Sequence, residues 1–485
     1  MIYNKSYFFI FLILLNKSLL KEESESNEKL LFVWEHFRHG ARGSYKSFDY
    51  INWKDILDEK WKGTGELTPI GMRMHYLLGV ATRKKYQNFL SLNFEPNEIY
   101  IISTNINRTL ISAYSNLQGI FYKSSKDLNI NEKTIKKDFI LNQNYSKQLK
   151  NEINNLNSIE KTFNAFPVHI YNQKDLKFQL YRTEVCPGIS PYLQKIKKTE
   201  GIQNIYNNIL KITNEYFGKY IFKFMNISMD KSNYLYNFEN VNTICDTFIA
   251  DYVDGRKMEK IKDTGINLEQ FYDHCLNISL VTSYYNYYGN PLEKTLEFGV
   301  SPTFKEIFDY MDKRILLDKN GMSDKVISSS PKFVIVSSHD ISLAAFDLFL
   351  ESKFSIPFKR ADYANNQIFE LWKNIKNGKY FIKYLINLEE VATFDYYEFK
   401  NKVSSELYSE KEIRKICFPD SLSNITNENK PNYYLYLFII FIFLVFILIL
   451  YLIKIKKREK SINFIKQNPN IEMKQMNLFN NHQFE

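Results

Sequence analysis

The stretch Leu30 to Ser44, LLFVWEHFRHGARGS, constrains this chain more than any other. A short apolar, aromatic run ends abruptly in Arg38-His39-Gly40-Ala41-Arg42. A run of that length bounded by polar residues predicts a buried strand. The polar cluster then falls at its carboxyl end, where open α/β sheets hold their ligands. Gly40 lets the backbone turn tightly or approach a ligand closely. Arg38 and Arg42 supply forked, permanently charged donors suited to phosphate. His39 between them can act as a nucleophile or a proton carrier.

The same design recurs twice. Glu98-Ile-Tyr-Ile-Ile-Ser103-Thr104 is a short apolar run, and Asn105 to Phe121 follows with helical spacing. Arg108 lies in the first turn, where a cation opposes the helix dipole unless an anion binds nearby. Lys332-Phe-Val-Ile-Val-Ser337-Ser338-His339-Asp340 ends in a His-Asp pair, followed by helical spacing from Ile341 to Leu350. Between the first two runs, Thr68 and Pro69 form a helix-starting N-cap and first-turn pair, with the helix reaching about Tyr86. Tyr192 to about Ser283 reads as several helices, and Ile368–Trp372 with Tyr380–Leu388 as a hairpin. His36 and His39 could suggest a metal pair, but their odd spacing on a strand assigns them to opposite faces, with His36 structural. His75, His169 and His274 are expected to be packing or surface residues.

Both ends of the chain read as membrane-related. The run Tyr7 to Leu15, between Lys5 and Lys21, has the form of a secretory signal peptide too short to span a bilayer. Tyr433 to Ile453 carries no charge and as a helix would be about 31 Å long, enough to cross one. Lys454, Lys456, Lys457, Arg458 and Lys460 follow and are expected to stay cytoplasmic. Of the net charge of +10, the tail from Lys454 carries +4, from seven Lys/Arg against three Glu. The remaining +6 is spread without a basic stripe, which argues against nucleic-acid binding. Cys186, Cys245, Cys275 and Cys417 all lie between the two apolar runs, where disulfides persist, and three pairings are open. Asn144, Asn226, Asn277 and Asn424 begin sequons; Asn107 does too, beside Arg108.

Arg-His-Gly-x-Arg after a strand resembles the signature of the histidine phosphatases, in their histidine acid phosphatase branch, with Ser44 where that branch usually has proline. Gly65-Glu-Leu-Thr-Pro-Ile-Gly71, the segment Ser103 to Ala113, Pro167-Val-His169, Cys186-Pro187 and His339-Asp340 resemble further family motifs in the same order. The resemblance covers about Leu30 to Cys417. It implies a Cys186–Cys417 bridge, and with it Cys245–Cys275. Tyr363-Ala364-Asn365-Asn366 stands where the family often has a cysteine.

The expected fold is a doubly wound, mostly parallel α/β sheet flanked by helices, with an inserted mainly helical domain and one C-terminal transmembrane helix. The expected divisions are a signal peptide (1–20), the first part of the α/β core (28–160), a helical insertion and cap (161–300), the second part of the core (301–420), a linker (421–432), the transmembrane helix (433–453) and a cytoplasmic tail (454–485). The resemblance implies an acid phosphatase that acts through a phosphohistidine. His39 would be the nucleophile and Asp340 the general acid, with phosphate held by Arg38, Arg42, Arg108 and His339. No metal or other cofactor is expected. The expected partners are a small-molecule phosphate monoester, a membrane crossed once and, as an open choice, a second copy of the chain. The expected location is the lysosome, a digestive vacuole or the cell surface, with the amino terminus lumenal. Two other readings stand beside it: an inositol-phosphate phosphatase of the same branch, and a catalytically inactive receptor ectodomain.

Overall fold

The computed structural model describes residues 27–45, 65–122, 166–171, 180–224, 237–256, 258–288, 294–322 and 330–419, with Leu176, Leu235 and Lys456 singly. Residues up to Pro419 form one compact unit and Asp420–Glu485 another. The expected signal peptide (1–20) and the apolar run Tyr433–Ile453 lie outside the described residues, as do the sequons at Asn144, Asn226 and Asn424. Among the described residues no helix is long and apolar enough to cross a membrane.

Among the described residues seven strands form the sheet: β1 (Glu28–Arg38), β2 (Ile99–Ser103), β3 (His169–Ile170), β4 (Phe333–Ser338), β5 (Asn366–Asn374), β6 (Tyr380–Ile386) and β7 (Glu389–Asp395). Their spatial order is β3-β2-β4-β1-β5-β6-β7. The first four run parallel, but β5, β6 and β7 pair antiparallel, so the sheet is mixed and not mostly parallel as expected. The cause is local. Asn374 accepts from the N–H groups of Lys376 and Asn377, and Gly378 has φ +69°, which folds β5 back on β6. Asn387 and Leu388 both have positive φ and make the two-residue turn into β7. Such short links can only join antiparallel neighbours.

Helices cover both faces: α1 (Pro69–Lys85), α2 (Asn107–Ile120), α3 (Ser190–Lys197), α4 (Glu200–Ile212), α5 (Gly218–Phe224), α6 (Phe238–Val253), α7 (Glu259–Lys262), α8 (Leu268–Tyr288), α9 (Thr295–Lys319), α10 (Asp340–Phe354), α11 (Tyr396–Ser404) and α12 (Glu410–Cys417). Alternation along β1 assigns the layers. Val33 and Phe37 join Ala113, Leu117 and Ile120 on the α2 face. Phe32 and Trp34 join Phe304, Phe346 and Phe349 on the α9–α10 face. Helices α4, α6 and α8 share a separate core around Val241, Phe248 and Phe271. The disulfide Cys245–Cys275 ties α6 to α8, and Cys186–Cys417 ties the start of the helical segment to α12. Both bridges are those the resemblance implied.

The buried histidines carry a prediction. Burial holds His36 and His75 neutral, each pushed down to about 3, and His274 down to about 4. The unfolded chain protonates them near pH 6.5, whereas the folded chain does not. Their contribution is complete above that pH and is lost as the pH falls toward 3, by about 1.4 kcal/mol per pH unit for each of His36 and His75. Burial raises Glu35 and Asp347 to about 7, which works in the opposite direction over the same range. With more histidines than carboxyls in play, the melting temperature is expected to fall between pH 6.5 and 4.5. A thermal melt that is flat or rises toward pH 4.5 contradicts this.

Candidate active site

The cavity lies at the carboxyl ends of β2, β4 and β1, which are neighbours in the sheet. It measures about 630 Å³. Strand adjacency brings together Arg38 and His39 from β1, Arg108 from the first turn of α2, and His339 and Asp340 from the β4–α10 junction. Arg42 arrives through the loop after β1.

That loop is held from several sides. The His39 N–H donates to Ser338 O at 3.0 Å, and the Gly40 N–H to Ser112 Oγ at 3.1 Å. Ala41 O accepts from both the N–H and the hydroxyl of Thr68, while Thr68 Oγ1 also caps α1 by accepting from Gly71 N–H. This explains why the Gly-x-Leu-Thr segment accompanies the motif: it clamps the loop against the helix start. The contact leaves no room for a side chain. A Cβ on Gly71 would lie 2.1 Å from Ala41 O, and one on Gly40 would lie 2.4 Å from Gly71 O. Gly71→Ala is therefore expected to cost about 1–3 kcal/mol of stability, as overpacking does, and to displace Arg42 with loss of anion binding. A variant that melts like the wild type would show that the loop gives way freely.

His39 is 3% exposed, and its Nδ1–H donates to Gly40 O at 2.8 Å. A carbonyl can only accept, so the proton sits on Nδ1 and the lone pair on Nε2. Among the described residues Nε2 has no hydrogen-bond partner. Burial, reinforced by Arg38, His339 and Arg108, holds His39 well below the ordinary imidazole range. It stays neutral in acid.

Arg38 is fixed by three contacts. It donates to Ala361 O at 2.8 Å, pairs with Asp340 Oδ2 at 2.8 Å, and lies over the Tyr363 ring at 4.2 Å. Arg42 pairs with Asp246 Oδ1 at 2.6 Å and lies over the Tyr45 ring at 4.2 Å. Arg108 donates to His339 Nδ1 at 3.2 Å, which directs the His339 Nε2–H to Thr104 Oγ1 at 3.1 Å. His339 is thus neutral with both nitrogens engaged, and burial, then Arg108, pushes it down to about 3. The Nε–H groups of Arg38 and Arg108 are buried without partners, donors directed at no protein atom.

Asp340 opens α10, and its Oδ1 accepts from the Ile341 N–H at 2.9 Å. Burial favours its neutral form, but Arg38, His339 and Arg42 outweigh burial and hold the carboxyl below its usual range. It is therefore ionised at neutral pH. Ser44, where the family proline stands, is buried, and its hydroxyl has no partner among the described residues.

All six residues singled out in the sequence meet in this cavity. His36 and His39 both line the cavity, and β1 ends at Arg38, so strand alternation does not extend to His39. Its Nε2 bonds Ser338 Oγ at 2.5 Å, and its ring stands edge-on to Phe346. Among the described residues no group of three metal-ligating side chains occurs. Sequence reasoning missed Tyr45, Arg182, Asp246 and Tyr363. Only Tyr363 had a signal, in the Tyr-Ala segment already noted; Asp246 sits on a helix of the separate core with nothing local to mark it.

The profile described as Histidine phosphatase superfamily (branch 2) matches residues 17–387. Human (Homo sapiens) prostatic acid phosphatase is 37% identical over 116 residues, 24% of this chain and 28% of that protein. Rat (Rattus norvegicus) lysosomal acid phosphatase is 43% identical over 94 residues, 19% of this chain and 21% of that protein. The chain therefore spans about a quarter of the length of these curated relatives. The solved phytase from Citrobacter braakii shares the fold, with a TM-score of 0.52 and 13% identity over 78% of this chain and 98% of that one.

Proposed function

We propose, from the premise that this chain belongs to the histidine phosphatase superfamily, branch 2, that it hydrolyses phosphate monoesters through a phosphohistidine, as an acid phosphatase. The observation that carries this reading is the His39 imidazole, locked with its proton on Nδ1 and its free Nε2 among three guanidinium groups. Phosphoryl transfer chiefly needs positioning and charge stabilisation on the equatorial oxygens. Arg38, Arg42 and Arg108 supply three permanent cations, and Arg38 and Arg108 each keep an unmet Nε–H donor. His339 takes a fourth position once Arg108 turns from it to the phosphate.

His39 Nε2 attacks phosphorus in line, and the bond from phosphorus to the ester oxygen breaks. Asp340 gives its proton to the leaving alkoxide, so a neutral alcohol departs. Water then attacks the phosphohistidine, Asp340 takes the proton, the P–N bond breaks, and inorganic phosphate leaves. Each arriving phosphate neutralises the cations that keep Asp340 ionised, which raises its affinity for the proton it must donate. A neutral His39 and a protonated Asp340 coexist in acid, hence an acidic optimum.

The lumenal side of a membrane is the proposed location, with Tyr433–Ile453 as anchor, and the two disulfides agree with an oxidising compartment. The likeness to lysosomal acid phosphatases supports a lysosomal, vacuolar or cell-surface site. The test is turnover of a simple aryl phosphate by the purified protein at acidic pH. A folded protein without turnover rejects the phosphatase reading.

A further inference from the structure

The cavity lining combines two kinds of side chain. Around His39 it carries the guanidiniums of Arg38, Arg42 and Arg108. The rest of the lining includes Ile106, Leu193, Asn242, Ser279 and Thr282, all uncharged, and Asp246, which pairs with Arg42. Among the described lining residues there is no lysine, and the one further guanidinium, Arg182, pairs with Glu184 at 3.3 Å.

Asp246 is built into this wall. It lies one helical turn after Asn242 on α6, so both face the cavity, and Thr282 of α8 donates to Asn242 Oδ1 at 3.1 Å. The neighbouring residue, Cys245, is bridged to Cys275 of α8. Asp246 Oδ1 engages Arg42 at 2.6 Å, yet the side chain is 40% exposed, which leaves a carboxylate edge toward the cavity.

We infer that Asp246 is a specificity-determining residue that makes this cavity accept monophosphate esters of uncharged or cationic alcohols and reject polyphosphorylated ones. The inference rests on the phosphatase reading and names its substrate class. One phosphate satisfies the three guanidiniums. A second phosphate on the same alcohol would meet the Asp246 carboxylate and neutral side chains, and the one further cation of the described lining, Arg182, is already paired with Glu184. Repulsion of the wrong substrate gives specificity as well as added attraction for the right one does. A hydroxyl or ammonium group on the alcohol could instead donate to the Asp246 carboxylate.

The test compares kcat/KM for phenyl phosphate and for inositol hexakisphosphate, with the full chain at acidic pH. The wild type is expected to prefer phenyl phosphate by about a hundredfold or more, as a site with an unmet polar group discriminates. Asp246→Asn should shrink that preference about tenfold, chiefly through KM of the hexakisphosphate, while Asp246→Glu retains it. Added salt should weaken the wild-type preference, since the origin is electrostatic. The wild-type comparison needs no variant to fold. Comparable efficiency on both substrates overturns the inference, as does a preference unchanged in a folded Asp246→Asn protein. Turnover of phenyl phosphate with either of those results leaves the phosphatase reading standing. Absence of turnover on both substrates overturns that reading and this inference together.

Discussion

Replacing His39 by alanine is expected to lower kcat by at least about 10⁴-fold, the scale seen when a covalent nucleophile is removed. The remaining arginines would still bind phosphate, so KM or product inhibition should change far less. The reason lies in the Nδ1–H bond to Gly40 O, which leaves the Nε2 lone pair of His39 free to attack. Neither His339, with both nitrogens engaged, nor Asp340, paired with Arg38, is placed to substitute. The measurement is kcat on an aryl phosphate near the acidic optimum, with a thermal melt to show that the variant is folded. Brief reaction of wild-type protein followed by an alkaline quench should also trap phosphate on His39 and not on the variant. Residual activity above a few per cent, or phosphate trapped on another residue, would remove His39 from the nucleophile's role.

The second large effect concerns Asp340. Its alanine variant is expected to slow esters of poor leaving groups by about 10²–10⁴-fold, the usual contribution of a general acid, and nitrophenyl-type esters much less. An alkoxide of high basicity needs its proton as the P–O bond breaks; a phenolate of low basicity does not. The pH profile gives an independent readout. Asp340 must be protonated to act, and its pKa is depressed because Arg38, His339 and Arg42 outweigh burial. Efficiency on poor leaving groups should therefore fall as the pH rises through that value, and Asp340→Asn should flatten this limb. Asparagine keeps the acceptor toward Ile341 and the shape beside Arg38, so a pure packing effect would spare it. Equal losses on good and poor leaving groups would assign Asp340 to positioning Arg38 instead.

Much of this site was legible in the chain because its parts are local. Each of the three strand ends carries its own polar cluster, and an apolar run followed by helical spacing places that cluster at a β–α junction. Thr68 and Pro69 mark the start of α1 by side-chain and ring chemistry that needs no distant partner. The two disulfides followed from the family resemblance, whereas cysteine spacing alone left three pairings. The antiparallel half of the sheet was underestimated even though Tyr380–Leu388 already read as a hairpin arm. The turns at Gly378 and at Asn387-Leu388 propagate that direction, and β7 with α11 and α12 then follow.

The sequence by itself determined which side chains could do phosphate chemistry: a histidine between two arginines, a cation at a helix start, and a His-Asp pair. Those are properties of residue type and short spacing. Only the tertiary structure decided what they become together. Strand order puts β4 between β2 and β1, and so brings three distant termini to one edge. Packing of α6 and α8 carries Asp246 onto Arg42 across 204 residues of chain. The same geometry turns His36 into the cavity beside His39 and sets the His39 tautomer through Gly40 O. Such pairings depend on which cores fuse and at what angle, and no local pattern encodes that.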